Sequence, residues 1–275
     1  MLPVLKEALA LPWYRCHHFG RLLVIPVALT ALLWIAQSYW LTGKSRSSAT
    51  ITFSLLQILP YFLIFTFFAV SCHRSILIGD HSVSRFGVPG WSMRETRFYL
   101  WTIGIYILGY LWIVLFGVAL GVLAFAIGGS LGDPTAATKS PASLYIAVAL
   151  LSVPFVYVVG RSSLVLPAAA IDLRPGFNAT WSLSDGNGWR VAVLVGGIPI
   201  LFIFFQAFFR TVVGWLTGIS STQITTELGV FSVAILALES LVQYALATLE
   251  VAILSISFRE LSGWQPSAPP STHLH

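Results

Sequence analysis

The chain has 275 residues, of which 57% are hydrophobic and only 9% charged, with a mean hydropathy of +0.85. Soluble domains carry about 25% charged residues, so this composition excludes an ordinary soluble enzyme and points to a membrane domain. The net charge of +5 fits basic residues at the ends of membrane spans better than a nucleic-acid surface.

The N-terminal stretch places Leu2, Leu5, Leu9 and Trp13 at helical spacing, interrupted by Lys6, Glu7 and Arg15. It reads as an interfacial helix within residues 1–21 rather than a cleavable signal peptide. Runs long enough for helical membrane crossing, about 20 apolar residues, follow at roughly 22–42, 50–71, 98–129, 143–169, 190–218 and 228–257. Lipid offers an open backbone no partner, so helices are required. The expected fold is therefore all-α, a polytopic transmembrane helix bundle of about six spans forming a single domain over residues 1–261. A Pro/Ser-rich, disordered tail is expected over 262–275. The run Gly196-Gly197-Ile198-Pro199 is the strongest kink candidate. Of the fifteen Lys and Arg, all but Lys44, Arg46, Lys139 and Arg210 fall on one side of this threading. The positive-inside rule places that side, and with it both termini, in the cytoplasm. Multi-pass insertion in a bacterial inner membrane is the expected location.

The two substantial loops face that basic side. They supply Arg74, Arg85, Arg94, Arg97, Arg174 and Arg190, with Trp91, Trp181 and Trp189, as contacts for anionic lipid or a partner protein. Ser184 or Asp185 is placed to cap a helix starting near Trp189. Gly117-x-x-x-Gly121 and Gly214-x-x-x-Gly218 are small-residue packing motifs.

Within the last span, Glu239, Gln243 and Glu250 return to nearly one helical face. That polar stripe should face the bundle interior, where arginines from neighbouring helices would neutralise it. Two pairs are expected, Arg161–Glu250 and Arg210–Glu239. The stripe is read first as structural glue and second as a pathway. Cys16, His17, His18, Cys72, His73 and His81 lie near the basic ends of the first two spans. They are weak metal candidates with no recognised spacing, so no metal or cofactor is expected. No histidine falls inside the six runs, which disfavours a haem held between spans.

Three stretches resemble a known family. Cys72-His73-Arg74-Ser75-Ile76-Leu77-Ile78-Gly79-Asp80, Arg161-Ser162-Ser163-Leu164-Val165-Leu166-Pro167-Ala168-Ala169-Ala170 and Trp181-Ser182-Leu183-Ser184-Asp185-Gly186-Asn187-Gly188-Trp189-Arg190 resemble segments of uncharacterised six-span proteobacterial inner-membrane proteins. In that family a basic residue often stands at the position of Asp185. The pattern is distantly similar to the membrane domain attached to some glycerophosphodiester phosphodiesterases. The resemblance implies architecture and location, and no catalytic residue is carried over.

Three functions are compatible with these residues. The first is a non-catalytic scaffold or accessory subunit that binds a partner or anionic lipid through the basic loops, within a larger membrane complex or a homo-oligomer. The second is a transporter or channel for a small or lipidic solute that uses the polar stripe. The third is a lipid-modifying enzyme using His73, Arg74, Asp80 and His81 at the membrane surface. Signatures of catalysis such as HExxH, GxSxG or a P-loop are missing from the sequence, so the chain is not expected to be an enzyme.

Overall fold

The structure is a computed structural model that describes residues 2–41, 48–87, 90–126, 141–174, 176–217 and 230–265. Its secondary structure is all helical, with no strand among the described residues. Helix α1 (Leu2–Tyr14) breaks at Arg15 and is followed by α2 (Cys16–Leu41), α3 (Ser48–Leu77) and α4 (Met93–Ala126). Next come α5 (Pro141–Ser162) and three short helices, α6 (Val165–Ala170), α7 (Phe177–Leu183) and α8 (Gly188–Val191). A π-helical segment (Ala192–Gly197) leads into α9 (Ile198–Thr217), and α10 (Val230–Ser262) closes the bundle. Among the described residues, five stretches are long and apolar enough to cross a membrane: Cys16–Gln37, Ile58–Leu77, Met93–Ala119, Ser152–Ala170 and Val233–Ser262. The expected 190–218 run contains α9. The tail beyond 265, the loops holding Lys44, Arg46 and Lys139, and the partner glycines Gly121 and Gly218 of the two small-residue motifs fall outside what is described, in whole or at the side chain.

Helix α10 is the axis of the bundle. It packs against α1, α2, α3, α6, α9 and the π segment. Its contact faces are built from small and hydroxyl side chains, among them Ser240, Ala247, Thr248, Ala252, Ser255 and Ser257, all buried. Such residues let helices approach closely where lipid gives no hydrophobic drive to association. Apart from Ser257, whose buried hydroxyl has no hydrogen bond among the described residues, their hydroxyls cost little because they bond within their own helix. Ser240 donates to the Leu236 carbonyl at 2.9 Å, Thr248 to Tyr244 at 2.8 Å and Ser255 to Val251 at 2.8 Å, the i−4 pattern. Helix α4, by contrast, shows Leu100, Ile107, Leu111, Val114 and Leu115 on its outside, as a lipid-facing helix does.

The N-terminal helix lies along the end of α10. Val4 and Ala8 are buried there in one apolar cluster with Ile253, Ile256 and Phe258, and Arg259 holds Glu7 at 2.8 Å. Trp13 stays exposed, as an interfacial ring would. Helix α4 begins at a capping arrangement in which the Ser92 amide donates to the Glu95 carboxylate at 2.9 Å, satisfying an otherwise orphaned donor.

The kink expected before Pro199 takes the form of the π segment. Proline cannot donate to the carbonyl four residues back, and the backbone leaves α geometry over Ala192–Gly197. Here α5 and the π segment meet backbone to backbone. A Cβ on Gly160 would sit 2.7 Å from Ala192 Cα, and one on Gly196 would sit 2.5 Å from the Val156 carbonyl oxygen. The fourth expected run, 143–169, is likewise two helices, since Pro167 removes the bond that would carry α5 past Ser163.

Gly160→Val or Gly196→Val should therefore destabilise the protein by about 1–3 kcal/mol, the cost of overpacking. Gly20→Ala, which meets nothing within 4 Å, should be neutral or slightly stabilising. Thermal unfolding of the detergent-solubilised protein, followed by size-exclusion fluorescence, separates the two classes.

Candidate functional site

The polar groups fall into two sets. One lies at the end of the bundle where α1 meets the end of α10; the other lies within the membrane-crossing part.

At the α1 end, the arginines are largely consumed by the protein itself. Arg161, only 6% exposed, donates through Nε to Ser184 Oγ at 2.6 Å and through Nη1 to Tyr157 Oη at 2.8 Å. Its Nη2 reaches the Trp181 carbonyl at 2.7 Å and Asp185 Oδ1 at 2.8 Å. The guanidinium also lies over the Trp181 ring, 4.3 Å from its centroid, a cation–π contact. Arg161 thus clasps the α7–α8 corner to α5. The expected Arg161–Glu250 pair is not among the ion pairs of the described residues: the clasp occupies the guanidinium, which points to α7. Ser184 and Asp185 are drawn to Arg161 and do not cap α8, whose N-cap is Asn187 without a side-chain bond.

A second clasp is centred on Asp172, which adopts the left-handed φ of 64°. Its carboxylate lies 3.6 Å from Arg74 and 3.4 Å from Arg94, and Arg94 also binds the buried Glu95 at 2.7 Å. Arg74 donates further to the Ser82 and Ala170 carbonyls. Asp80 forms a third cluster, accepting from Ser75 Oγ at 2.6 Å and Arg15 at 3.3 Å, with His18 against Ser75 at 3.0 Å.

Of the expected lipid and partner contacts, Arg74, Arg94 and Trp181 are therefore internal. Trp91 donates to Thr96 and packs on Phe67 and Tyr99. Arg97 has one buried nitrogen without a hydrogen bond among the described residues. Arg85, Arg174, Arg190 and Trp189 are exposed.

The metal candidates diverge. Among the described residues, no group of three or more His, Cys, Asp or Glu is arranged to hold an ion. Cys16 is exposed and Cys72 buried. His17 contacts Arg21, and His18 contacts Ser75. His81 is exposed on the 3-10 turn Asp80–Ser82. His73 is buried and bonds Ser255 of α10 through Nδ1 at 2.7 Å, beside Phe98. It therefore does lie inside a span, because α3 continues to Leu77, past the expected end at residue 71. The four residues of the surface-enzyme reading separate for the same reason: His73 points into the core, Arg74 to Asp172, and Asp80 to Ser75.

Within the membrane-crossing part, Gln243 and Glu250 of the stripe on α10 are half-buried. Glu239 is buried. The side chain of Arg210 lies outside the described residues, so that pair is not described. Gln243 donates from Nε2 to the Tyr61 hydroxyl. Both line a cavity of about 330 Å³ between α2, α3 and α10, walled also by Thr30, Leu33, Trp34, Gln37 and Ile58. Thr30 Oγ1 lies 2.9 Å from the Tyr244 hydroxyl. Glu250 is two turns further along α10, about 10 Å at 1.5 Å per residue. It lies within electrostatic reach of Tyr61 and Tyr106 and, among the described residues, makes no ion pair. Tyr61 thus joins the cavity wall to the neighbourhood of the carboxylate.

Reasoning from sequence missed the wall residues on α2 and α3. Their signal is present in the spacing. Thr30, Leu33, Trp34 and Gln37 follow the i, i+3, i+4, i+7 pattern of one helical face, as Ile58 and Tyr61 do over three residues.

These contacts set two double-mutant cycles apart. Arg161→Ala should cost roughly 3 kcal/mol, because it strands several hydrogen-bonding groups. It should add independently to Glu250→Gln and couple measurably to Ser184→Ala. Asp185→Asn, acting on a carboxylate 70% exposed, should cost under about 1 kcal/mol. Stability of the four single variants and two pairs in detergent checks this.

No protein-family model, curated protein or solved structure matches the chain.

Proposed function

We propose that this chain is a multi-pass protein of a bacterial inner membrane, with six spans and cytoplasmic termini. In this reading it admits a small polar or amphiphilic solute into the cleft between α2, α3 and α10, as a transporter or channel and without chemical change to the solute. The observation that carries the reading is the cavity wall made by Gln243 and Tyr61, with Glu250 two turns further along α10. Polar and ionisable groups are costly inside a membrane and mark pathways when they face a cavity. The cleft offers neutral donors and acceptors from Thr30, Gln37, Tyr61 and Gln243 on an otherwise apolar wall that includes Trp34. Sites for small molecules have this character, mostly apolar with a few placed polar groups.

The grouping of Arg15, Arg74, Arg94, Arg161 and Arg259 at the α1 end supports a cytoplasmic placement of that end. It supports docking of a partner less well, because Arg74, Arg94 and Arg161 spend their hydrogen bonds inside the protein.

Thiol accessibility tests the cleft. In a Cys16→Ser background, with buried Cys72 retained, Gln243→Cys should react with a membrane-impermeant methanethiosulfonate in proteoliposomes. Ala252→Cys, at a fully buried position, should stay inert. Protection of the Gln243→Cys thiol by amino acids, amines, sugars or short-chain amphiphiles would identify the solute class. A thiol at position 243 as unreactive as one at 252 would remove the cleft, and the transport reading with it.

A further inference from the structure

A second hollow, of about 170 Å³, lies between the α1-side halves of α2 and α3. It is almost wholly apolar. Leu22, Ile25 and Leu29 form one wall, Ile64 and Phe68 another, and Phe86 of the 80–92 connection closes one end. An apolar cavity of about 150 Å³ takes a benzene-sized guest, so this one accepts a short stretch of hydrocarbon chain.

The hollow is built by the loop. Ser71 of α3 donates its hydroxyl to the Gly87 carbonyl, which fastens Phe86 and Gly87 across the helices. Gly87 has φ +68°, and a Cβ there would sit 2.7 Å from Leu22 Cδ2. Only glycine allows the loop to lie this close.

Charge is placed beside the apolar end. The Arg85 guanidinium lies 5.6 Å from the Phe86 ring centroid. Arg85 is exposed and makes no ion pair among the described residues. Arg21 stands one helical turn before Ile25 on the same face of α2 and is half-buried, beside His17. An apolar slot near one exposed and one half-buried arginine at the end of a membrane-crossing pair matches a lipid in two parts: hydrocarbon for the slot and phosphate for the arginines.

We propose that the α2–α3 hollow and Arg85 form a binding site for one anionic phospholipid, whose acyl segment fills the hollow and whose phosphate meets Arg85 and Arg21. The site is separate from the Gln243 cleft and does not depend on the transport reading. Arg85 sets head-group preference, and Leu29, at the rim, gates the chain.

The test uses full-length protein in detergent, titrated with phosphatidylglycerol or with phosphatidylcholine of identical chains, and bound lipid counted by native mass spectrometry. Arg85→Ala should weaken phosphatidylglycerol binding about fivefold, the effect of one surface arginine on an anionic lipid, and weaken that of phosphatidylcholine, whose phosphate is offset by its choline, less. Leu29→Trp, at a position 43% exposed, should fill the hollow and reduce binding of both lipids with an unchanged thermal midpoint. Undiminished lipid binding by the Leu29→Trp protein overturns the acyl site. Undiminished phosphatidylglycerol binding by the Arg85→Ala protein overturns the phosphate contact, and equal loss of both lipids overturns the preference for an anionic lipid.

Discussion

The bundle depends on the last helix being thin. Most elements touch α10, and Ser, Thr and Ala among its buried positions let them approach closely between larger core residues such as Tyr244, Ile253 and Phe258. A hydroxyl in hydrocarbon is costly unless bonded, and the bonds to the i−4 carbonyls remove that cost without help from any neighbour. The surface of α10 thus behaves as nearly apolar while staying narrow. The few polar groups that do reach across it, Tyr244 to Thr30, Gln243 to Tyr61 and His73 to Ser255, fix rotation and register where packing of small residues alone would tolerate sliding. This is one attested use of buried polar contacts.

At the α1 end a different economy holds. Short connecting segments must be kept in place without a core of their own. Arginine does this well, because one planar guanidinium can serve several acceptors and stack on a ring at once. Arg161 uses Ser184, Tyr157, Asp185, the Trp181 carbonyl and the Trp181 ring together. Asp172 reverses the arrangement, one carboxylate between two guanidiniums, and holds a strained backbone angle to do it. Basic residues that orient a membrane protein thereby also become its fasteners, and their number overstates the positive charge left for a ligand.

Helical class and the approximate location of the spans were legible in the sequence, because hydrophobic length is a direct consequence of bilayer thickness. The burial of Glu239 and half-burial of Gln243 and Glu250 were legible for the same reason that they are costly: a polar stripe has nowhere else to go. Its partners were not. Depth along parallel helices places Arg161 and Glu250 at similar levels, but it says nothing of azimuth, and a nearby loop offered Arg161 closer acceptors. The extension of α3 past residue 71, which carries His73 into the core, was hidden because polar residues end a hydropathy run even when their helix continues. The walls of the cleft were hidden because tyrosine and threonine inside apolar runs look like ordinary membrane composition until another helix is known to face them.

Chain order gives the thin helix a further consequence. It follows the other described helices in the sequence, so it leaves the ribosome after them, and synthesis proceeds from the N-terminal side. Until it arrives, the Thr30 and Tyr61 hydroxyls and the His73 ring lack the mates they later acquire and must find lipid head groups, water or one another. Biogenesis therefore passes through an unfinished, hydrated intermediate whose completion is a keystone event, and surveillance proteases would meet that species rather than the mature bundle.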